Sequence, residues 1–251
     1  MRVIERLQAM IQATARALGY EIHKIGKVSF GRTSIAEVYI SGNGIEIGAL
    51  DGPLEVPPTA EVKYIDRFPV SELRKQYPEL NSAHFVDVDI VDDGEVLRTI
   101  GDASQDFVIA NHLLEHCQDP IGALCNMFRV LKLNGILYMA VPDKRFTFDV
   151  GRPVTPIHHL LQDFKDGGVS SRRAAFEEWV RCVAKVEGDT EVERQIDKLM
   201  RDDYSIHYHS WTQLEVIELV LALRREMNLQ FEIELVHKSG VEVILILRKA
   251  G

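Results

Sequence analysis

Apolar residues recur at helical spacing in the first eighteen positions of the chain, where Val3, Leu7 and Met10 alternate with charged and polar side chains. This pattern predicts an amphipathic helix over residues 1–18. After this segment the apolar and polar residues show no clear period, and only Ile22–Val28 and Ala36–Ile40 are weakly strand-like. We therefore expect residues 1–43 to form an N-terminal helix and cap.

From Gly44 onward, short apolar runs alternate with turns or helical stretches. The strand candidates are Gly44–Ile47, Val62–Asp66, Phe85–Asp89, Asp106–Ala110 and Gly135–Val141. A helical stretch, roughly His112–Leu131, separates the last two strands. Strands that alternate with helices are typical of βαβ units with a parallel sheet. We assign residues 44–142 to this core.

The C-terminal end departs from this alternation. A helix over Thr212–Met227 is followed by two apolar runs, Phe231–His237 and Val241–Arg248, and only a short turn separates them. A connection this short joins antiparallel strands, because a parallel pair needs a long crossover. The chain is thus predicted to be an α/β protein with a Rossmann-like, doubly wound sheet of seven strands, mostly parallel with a C-terminal antiparallel hairpin.

Residues 143–211 differ from the rest because about a third of them are charged. Helices are predicted at about Ser171–Val186 and Thr190–Arg201. We interpret this stretch as a helical insertion after the fifth strand, on the substrate side of the sheet. Since residues 212–251 complete the same sheet, residues 1–251 are expected to form a single domain.

Composition narrows the function classes without naming a chemistry. The chain has 251 residues, of which 46% are hydrophobic, and its net charge is −9. A surface with this charge argues against a nucleic-acid partner. Three cysteines with no C-x-x-C pair favour neither disulfides nor a thiolate zinc site. No apolar run is long enough for membrane insertion and the N-terminus resembles no signal peptide, so we expect a cytoplasmic protein.

Acidic residues lie in or at the end of three successive predicted strands. Glu46 precedes a glycine-containing turn, Asp66 follows 20 residues later, and Asp89 ends the third strand. Glycines at such a turn allow close approach of a ligand, and an acid at this spacing can hold the hydroxyls of a ribose. A plain β-turn would also explain the glycines. The carboxylates would share the sheet edge at which open α/β folds bind ligands.

Together these segments resemble a class I S-adenosylmethionine-dependent methyltransferase of the type 11 kind. The resemblance covers about residues 44–143 and 212–249. The family's glycine-rich motif matches Glu46, Gly48 and Gly52, its ribose-binding acid matches Asp66, and its adenine-binding pair matches Asp89-Ile90. Its fourth-strand text and its approach to the fifth strand match Asp106–His116 and Arg129–Gly135.

The resemblance implies S-adenosyl-L-methionine as cofactor and S-adenosyl-L-homocysteine as product. The implied cofactor-binding residues are Glu46, Gly48, Ala49, Gly52, Asp66, Asp89, Ile90 and Asn111. One departure is that Leu50-Asp51 stands where the family has a further glycine. We expect a remodelled turn rather than a lost cofactor site.

Three histidines are candidate catalytic groups: His112, His207 and His209. The text His112-Leu113-Leu114-Glu115-His116 has the spacing of a zinc peptidase helix, but its position directly after a strand favours the methyltransferase helix. His207 and His209 alternate, so they would share one side of an extended segment as a general base or metal ligands. A polar edge strand with Thr212 as helix N-cap is the alternative. We predict no metal ligands and no required metal, with magnesium left open.

The candidate substrate-binding residues are Asp143, Arg145, His158 and His159. We expect methyl transfer to a small polar acceptor, namely a hydroxyl, with a saccharide as one candidate. N- or C-methylation of a small metabolite and a non-catalytic S-adenosylmethionine-binding protein are the alternatives. A small molecule is the expected partner, and a homodimer is left open.

Overall fold

Seven strands form one sheet in the computed structural model, which describes residues 30–80 and 84–251. The strands are β1 (Gly42–Ile47), β2 (Ala60–Asp66), β3 (Ile90–Val91), β4 (Gln105–Asn111), β5 (Leu131–Pro142), β6 (Phe231–Ser239) and β7 (Glu242–Lys249). Their order is β3-β2-β1-β4-β5-β7-β6. Only β7 runs antiparallel to its neighbours, β5 and β6. The predicted fold class, including the terminal hairpin, is confirmed.

Seven α-helices accompany the sheet in the same residues. They are α1 (Arg32–Tyr39), α2 (Val70–Gln76), α3 (Pro120–Val130), α4 (Ile157–Asp166), α5 (Arg172–Cys182), α6 (Asp189–Arg201) and α7 (Gln213–Glu226). Short 3₁₀ turns occur at Pro78–Leu80, Leu114–His116, Lys144–Phe146 and Phe148–Gly151. Thr212 is the predicted N-cap of α7, with its Oγ1 accepting from the Leu214 amide at 3.3 Å.

The central strands are buried on both faces, as expected for a doubly wound sheet. On β4, Val108 and Ala110 belong to one apolar cluster with α3 and α7, whereas Phe107 and Ile109 belong to a second cluster with α1. Each face therefore needs a helical layer, and the alternating side chains of β4 and β5 fix the register of the sheet.

The insertion has a small core of its own. Phe176 and Val180 of α5 pack with Val192 and Ile196 of α6, and Ile206 completes the cluster. The two helices predicted here are confirmed, with α5 ending earlier than expected. Gly31–Gly251 forms one compact unit, while the single domain over 1–251 stays a prediction because the helix over 1–18 and the segment Ile22–Val28 lie outside the described residues.

Three local predictions were wrong. Ala36–Ile40 lies mostly in helix α1 rather than in a strand. The third strand contains only Ile90–Val91, instead of Phe85–Asp89, because just these two residues pair with β2. The predicted helix His112–Leu131 begins at Pro120, where Asp119 caps it by accepting from the Gly122 amide at 2.8 Å. Glu115 and His116 therefore lie on a separate 3₁₀ turn.

Candidate active site

A cavity of about 420 Å³ opens at the carboxyl ends of β1, β2 and β4, the edge where open α/β sheets bind ligands. Its walls come from the ends of these strands, from the loop after β3 and from the insertion. The lining residues are Ile47, Gly48, Leu50, Asp66, Arg67, Tyr77, Asp93, Gly94, Glu95, His112, Leu113, His116, Cys117, Gln118, Asp203 and Ser205.

Glu46 stabilises the turn after β1 through hydrogen bonds to the backbone. Its side chain is buried, and both carboxylate oxygens accept from the Leu54 amide, at 3.0 and 3.1 Å. Burial raises the pKa of Glu46 to about 7, although the Leu54 amide and the charge of Arg32 oppose the shift. Glu46 thus has a structural role in the turn, and it does not line the cavity.

Leu50 occupies the position of the missing glycine. Its φ is +48°, in the left-handed region that glycine adopts most easily, and its carbonyl accepts from the Val86 amide at 2.9 Å. Gly48 also has a positive φ, +68°. The turn therefore keeps its left-handed geometry with a leucine, whose side chain forms part of the cavity wall.

The two acids predicted to bind the nucleoside lie in different places. Asp66 lines the cavity, where burial raises the pKa of its carboxyl group. Asp89 is exposed, and its Oδ2 accepts from the Tyr64 amide at 2.8 Å. Asp93 and Gly94, which the sequence reasoning missed, line the cavity instead. The acidic run Asp92-Asp93-Gly94-Glu95 directly after β3 was the available signal.

His112 stands on the cavity wall in a strained backbone conformation, with φ of +50°. Its Nε2 lies 2.7 Å from Oε2 of Glu242, and its Nδ1 lies 3.6 Å from Oε1 of Glu115. Arg32 also binds Glu242 through two nitrogens. Burial would raise the pKa of Glu242, but Arg32 and His112 together lower it to about 2. Glu242 is therefore ionised and accepts from the ring.

Next to His112 lies the buried carboxylate of Glu115, with His116 and His207 close by. Glu115 is 1% exposed, and neither of its carboxylate oxygens receives a hydrogen bond within residues 30–80 and 84–251. One oxygen atom of Glu115 lies 4.0 Å from Nε2 of His207. The rings of His116 and His207 meet edge to face with centroids 4.6 Å apart. Burial raises the pKa of Glu115 and lowers that of His116 to about 3.

A buried ion network holds His207 from the other side. Nδ1 of His207 lies 2.7 Å from Oδ2 of Asp149, and Arg152 binds the other oxygen of Asp149 at 2.9 Å. Burial would raise the pKa of Asp149, but His207 and Arg152 hold it below its usual range. Arg152 reaches Glu178 of α5 as well, at 2.7 Å. The network thereby ties the 3₁₀ turn Phe148–Gly151 to α5 and to the segment that carries His207, all within the insertion.

The comparisons with known proteins agree with this architecture. Residues 42–139 match the sequence model of a methyltransferase domain family, while no curated protein matches the chain. A Rhodobacter sphaeroides structure, provisionally named as a Zn-dependent alcohol dehydrogenase, has 13% identity and a TM-score of 0.52 and covers 90% of this chain and 92% of its own. At this identity the likeness concerns the fold alone. A SAM-dependent methyltransferase structure from Methanosarcina mazei has 18% identity, a TM-score of 0.45 and coverage of 85% and 95%.

The matched segment contains β1 to β5 up to residue 139, and thus most of the cavity wall. This segment therefore resembles a methyltransferase domain in its sequence. The family resemblance predicted from the sequence is therefore confirmed.

The cavity fits S-adenosylmethionine in two respects. Asp66 presents a carboxyl group on its wall, and Gly48 lacks a side chain there. Asn111, at the end of β4, is not among the lining residues, although its buried side-chain amide has no hydrogen-bond partner within the described ranges. Asp66 would hold the ribose of the cofactor.

The remaining residues of the predicted cofactor set contribute less directly. Ala49 and Gly52 form the tight turn after β1, in which the Gly52 amide donates to the Ala49 carbonyl at 2.9 Å. Ile90 packs against the apolar core beside β2. None of these three lines the cavity.

His209 belongs to a second histidine cluster, which also contains His159. Its ring is 2% exposed and stacks on Trp211, with centroids 5.5 Å apart. Burial lowers the pKa of His209 to about 4. Nε2 of His159 lies 3.1 Å from Oδ2 of Asp163, and that hydrogen bond raises the pKa of His159. Neither His159 nor His209 lines the cavity, so the structure separates His209 from His112.

The other predicted substrate residues also lie off the cavity wall. Arg145 binds Asp143 through two nitrogens, at 2.9 and 2.6 Å, and lowers the pKa of that carboxyl group. His158 is exposed on α4. The insertion reaches the cavity through Asp203 and Ser205 instead. A second link is the ion pair of Arg67 with Asp203 at 3.5 Å.

No helix in residues 30–80 and 84–251 is both long and apolar enough to span a bilayer.

Proposed function

We propose that this domain methylates a hydroxyl group of a small polar acceptor, with saccharides as the first class to test. The observation that carries the proposal is His112 on the cavity wall, held by Glu242 at 2.7 Å. When bound, S-adenosylmethionine supplies the methyl group.

His112 is suited to accept the proton that a hydroxyl loses on methylation. Because ionised Glu242 only accepts hydrogen bonds, Nε2 of His112 carries the ring proton and Nδ1 is left with a lone pair. In serine hydrolases, too, a carboxylate holds one imidazole nitrogen while the other nitrogen accepts a proton from a hydroxyl. An amine acceptor needs this base less, since its nitrogen lone pair attacks directly.

Polar groups of the insertion favour a polar acceptor. Ser205 and Asp203 line the cavity together with Gln118, so hydroxyl and acidic groups meet on the wall nearest the insertion. Such groups match the dense hydroxyls of a sugar better than an apolar ring. Tyr77 adds an aromatic side chain with a hydroxyl group to the cavity wall.

The test is release of S-adenosylhomocysteine over a panel of sugars, nucleotide sugars, phenols and amines. We expect turnover with a hydroxyl acceptor and a fall in kcat of about 10²- to 10⁴-fold in His112→Gln, with unchanged S-adenosylmethionine affinity. His84→Ala, which removes an exposed histidine, is the matched control. Turnover restricted to amines, and insensitive to His112→Gln, would contradict the proposal.

The cytoplasmic location, the small-molecule partner without nucleic acid and the open question of a homodimer stay predictions from the sequence.

A further inference from the structure

We infer that Glu115, His116 and His207 bind a divalent transition-metal ion, Zn²⁺ in the first instance, beside the cofactor cavity. One ligand atom from each of the three residues lies within 4.8 Å of the other two. Glu115 and His116 are consecutive on the turn Leu114–His116, and His207 comes from the insertion.

Backbone hydrogen bonds hold the segment that carries His207 against the turn that carries Glu115 and His116. The carbonyl of Glu115 accepts hydrogen bonds from the amides of Tyr208 and His209, at 2.7 and 3.3 Å. The segment that carries His207 is therefore tied to the turn that carries Glu115, although about 90 residues separate them in sequence. Such anchoring holds the three side chains in place before any ion binds.

Hydrogen bonds to Nδ1 leave Nε2 of both imidazoles available to a metal ion. Nδ1 of His116 lies 2.9 Å from the carbonyl oxygen of Ile206, and Nδ1 of His207 lies 2.7 Å from the Asp149 carboxylate. A carbonyl and an ionised carboxylate only accept, so each Nδ1 carries the proton and each Nε2 has a lone pair. Metal-binding histidines are held by this kind of partner on the second nitrogen.

The carboxylate of Glu115 lacks what a metal ion would provide. It is buried, and no donor among the described residues hydrogen-bonds to either oxygen. Two histidine nitrogens lie near it, Nδ1 of His112 at 3.6 Å and Nε2 of His207 at 4.0 Å. A buried carboxylate with no partner costs several kcal/mol, and a cation at its oxygens would offset that cost.

The three ligand atoms must move closer together to bind a zinc ion. Zinc binds nitrogen and oxygen ligands at about 2.0–2.2 Å, which places two ligand atoms roughly 3.3 Å apart in a tetrahedral site. The 4.0 Å between His207 and Glu115 must shorten by about 0.7 Å, and the other ligand pairs, which lie within 4.8 Å, by at most about 1.5 Å. Two imidazoles with one carboxylate favour zinc or ferrous iron over magnesium or calcium, which prefer oxygen ligands.

Three protein ligands leave a coordination position open, and His116 lines the cavity. A metal-bound acceptor hydroxyl would lose its proton more easily. This role rests on the proposed function, whereas metal binding itself does not.

A second cluster of the described residues, His159, Asp163 and His209, is the internal comparison. Its carboxylate already accepts from Ser171 at 2.6 Å and lies 3.1 Å from His159. One oxygen of Asp163 thus has a hydrogen-bond donor, whereas neither oxygen of Glu115 has one among the described residues, which is why we assign the metal to Glu115.

The experiment uses the full-length, tag-free, metal-stripped protein without cofactor or acceptor. Calorimetry with Zn²⁺ and absorption spectroscopy with Co²⁺ should each show one bound ion per chain. Glu115→Gln and His207→Ala should lower Zn²⁺ affinity at least tenfold, whereas His209→Ala and the exposed His84→Ala should retain it. Circular dichroism checks the fold of each variant.

A measurement on the wild-type chain guards against variants that do not fold. Zn²⁺ should slow the modification of His116 by diethylpyrocarbonate, read by mass spectrometry, without protecting His84 or His159. Absence of stoichiometric Zn²⁺ and Co²⁺ binding by the wild type would overturn the proposal. So would protection of His159 or loss of binding only in His209→Ala. Because no turnover is measured, the result is independent of whether the hydroxyl acceptor is correct.

Discussion

Nη1 of Arg152 lies 2.9 Å from Oδ1 of Asp149, and both side chains are almost completely buried. The other oxygen of Asp149 holds His207, and Nε of Arg152 holds Glu178. This network joins the 3₁₀ turn after β5 to α5 and to the segment before α7. Removing its cation would leave Asp149 buried without a positive charge.

We therefore expect Arg152→Met to lower the free energy of unfolding by about 3–5 kcal/mol, the usual cost of removing one partner from a buried ion pair. Urea unfolding followed by circular dichroism measures this. Arg181→Met is the matched control, because Arg181 also binds two carboxylates, Glu177 and Asp189, but on the surface. Equal losses in the two variants would show that burial of the network is unimportant.

The left-handed turn at Leu50 allows a test that separates backbone strain from side-chain contacts. Leu50→Gly and Leu50→Ala both remove the side chain that lines the cavity, but only glycine adopts φ of +48° without strain. We expect the free energy of unfolding of Leu50→Gly to exceed that of Leu50→Ala by about 1 kcal/mol, so the glycine variant is the more stable one. Thermal and urea unfolding compare the two. Equal stabilities would mean that the turn relaxes when the leucine is removed.

Glu242 should make the fold sensitive to acid. Its folded pKa of about 2 lies below its ordinary value of 4.5. The ionised carboxylate therefore stabilises the fold above pH 4.5, and this contribution is lost as the pH falls from 4.5 towards 2. A shift of this size corresponds to about 3 kcal/mol.

Glu242→Gln should accordingly be less stable than the wild type at pH 7, by up to about 3 kcal/mol, with a difference that shrinks towards pH 3. Unfolding curves over this pH range measure it. Glu234→Gln on the neighbouring strand removes a partly exposed pair with Arg248 and should have little effect at any pH. A Glu242→Gln difference that stays constant with pH would exclude the ion pairs as its cause.

The sheet could be predicted because its signals are local. Each buried strand is a short apolar run, and the turn between β6 and β7 is too short for a crossover. The errors occur where tertiary pairing overrides the pattern. Phe85–Asp89 alternates like a strand, yet at this sheet edge only Ile90–Val91 pairs with β2. Asp119-Pro120 is the local sequence signal for the start of α3, because Asp is a favourable N-cap and Pro a favourable first helical residue.

Only the part of the candidate site that lies at strand ends could be predicted from the sequence. Asp66 and Gly48 follow strand ends, and strand ends can be read from periodicity. The meeting of His207 with Glu115 depends on how the insertion folds back, and no spacing rule covers such a distance in sequence. The zinc-peptidase pattern also relies on a helix that places His112 and His116 on one face, whereas these residues lie in a left-handed turn and a 3₁₀ turn.

Asp66 and Asp89 give opposite expectations for cofactor binding. The family resemblance predicts that both bind the nucleoside, but only Asp66 lines the cavity, together with Asp93. We expect Asp66→Ala to weaken S-adenosylmethionine binding about 10- to 100-fold, the range for losing hydrogen bonds to a charged group. Asp93→Ala should also weaken binding.

Asp89→Ala should leave the affinity unchanged, because its carboxylate accepts from the Tyr64 amide and is exposed to solvent. Calorimetry with S-adenosylmethionine and S-adenosylhomocysteine measures all three variants, and thermal unfolding checks that each one folds. A loss of affinity in Asp89→Ala equal to that in Asp66→Ala would mean that the loop before β3 rearranges around the cofactor. The adenine would then be held as the resemblance implies, because only such a movement brings Asp89 to the cavity.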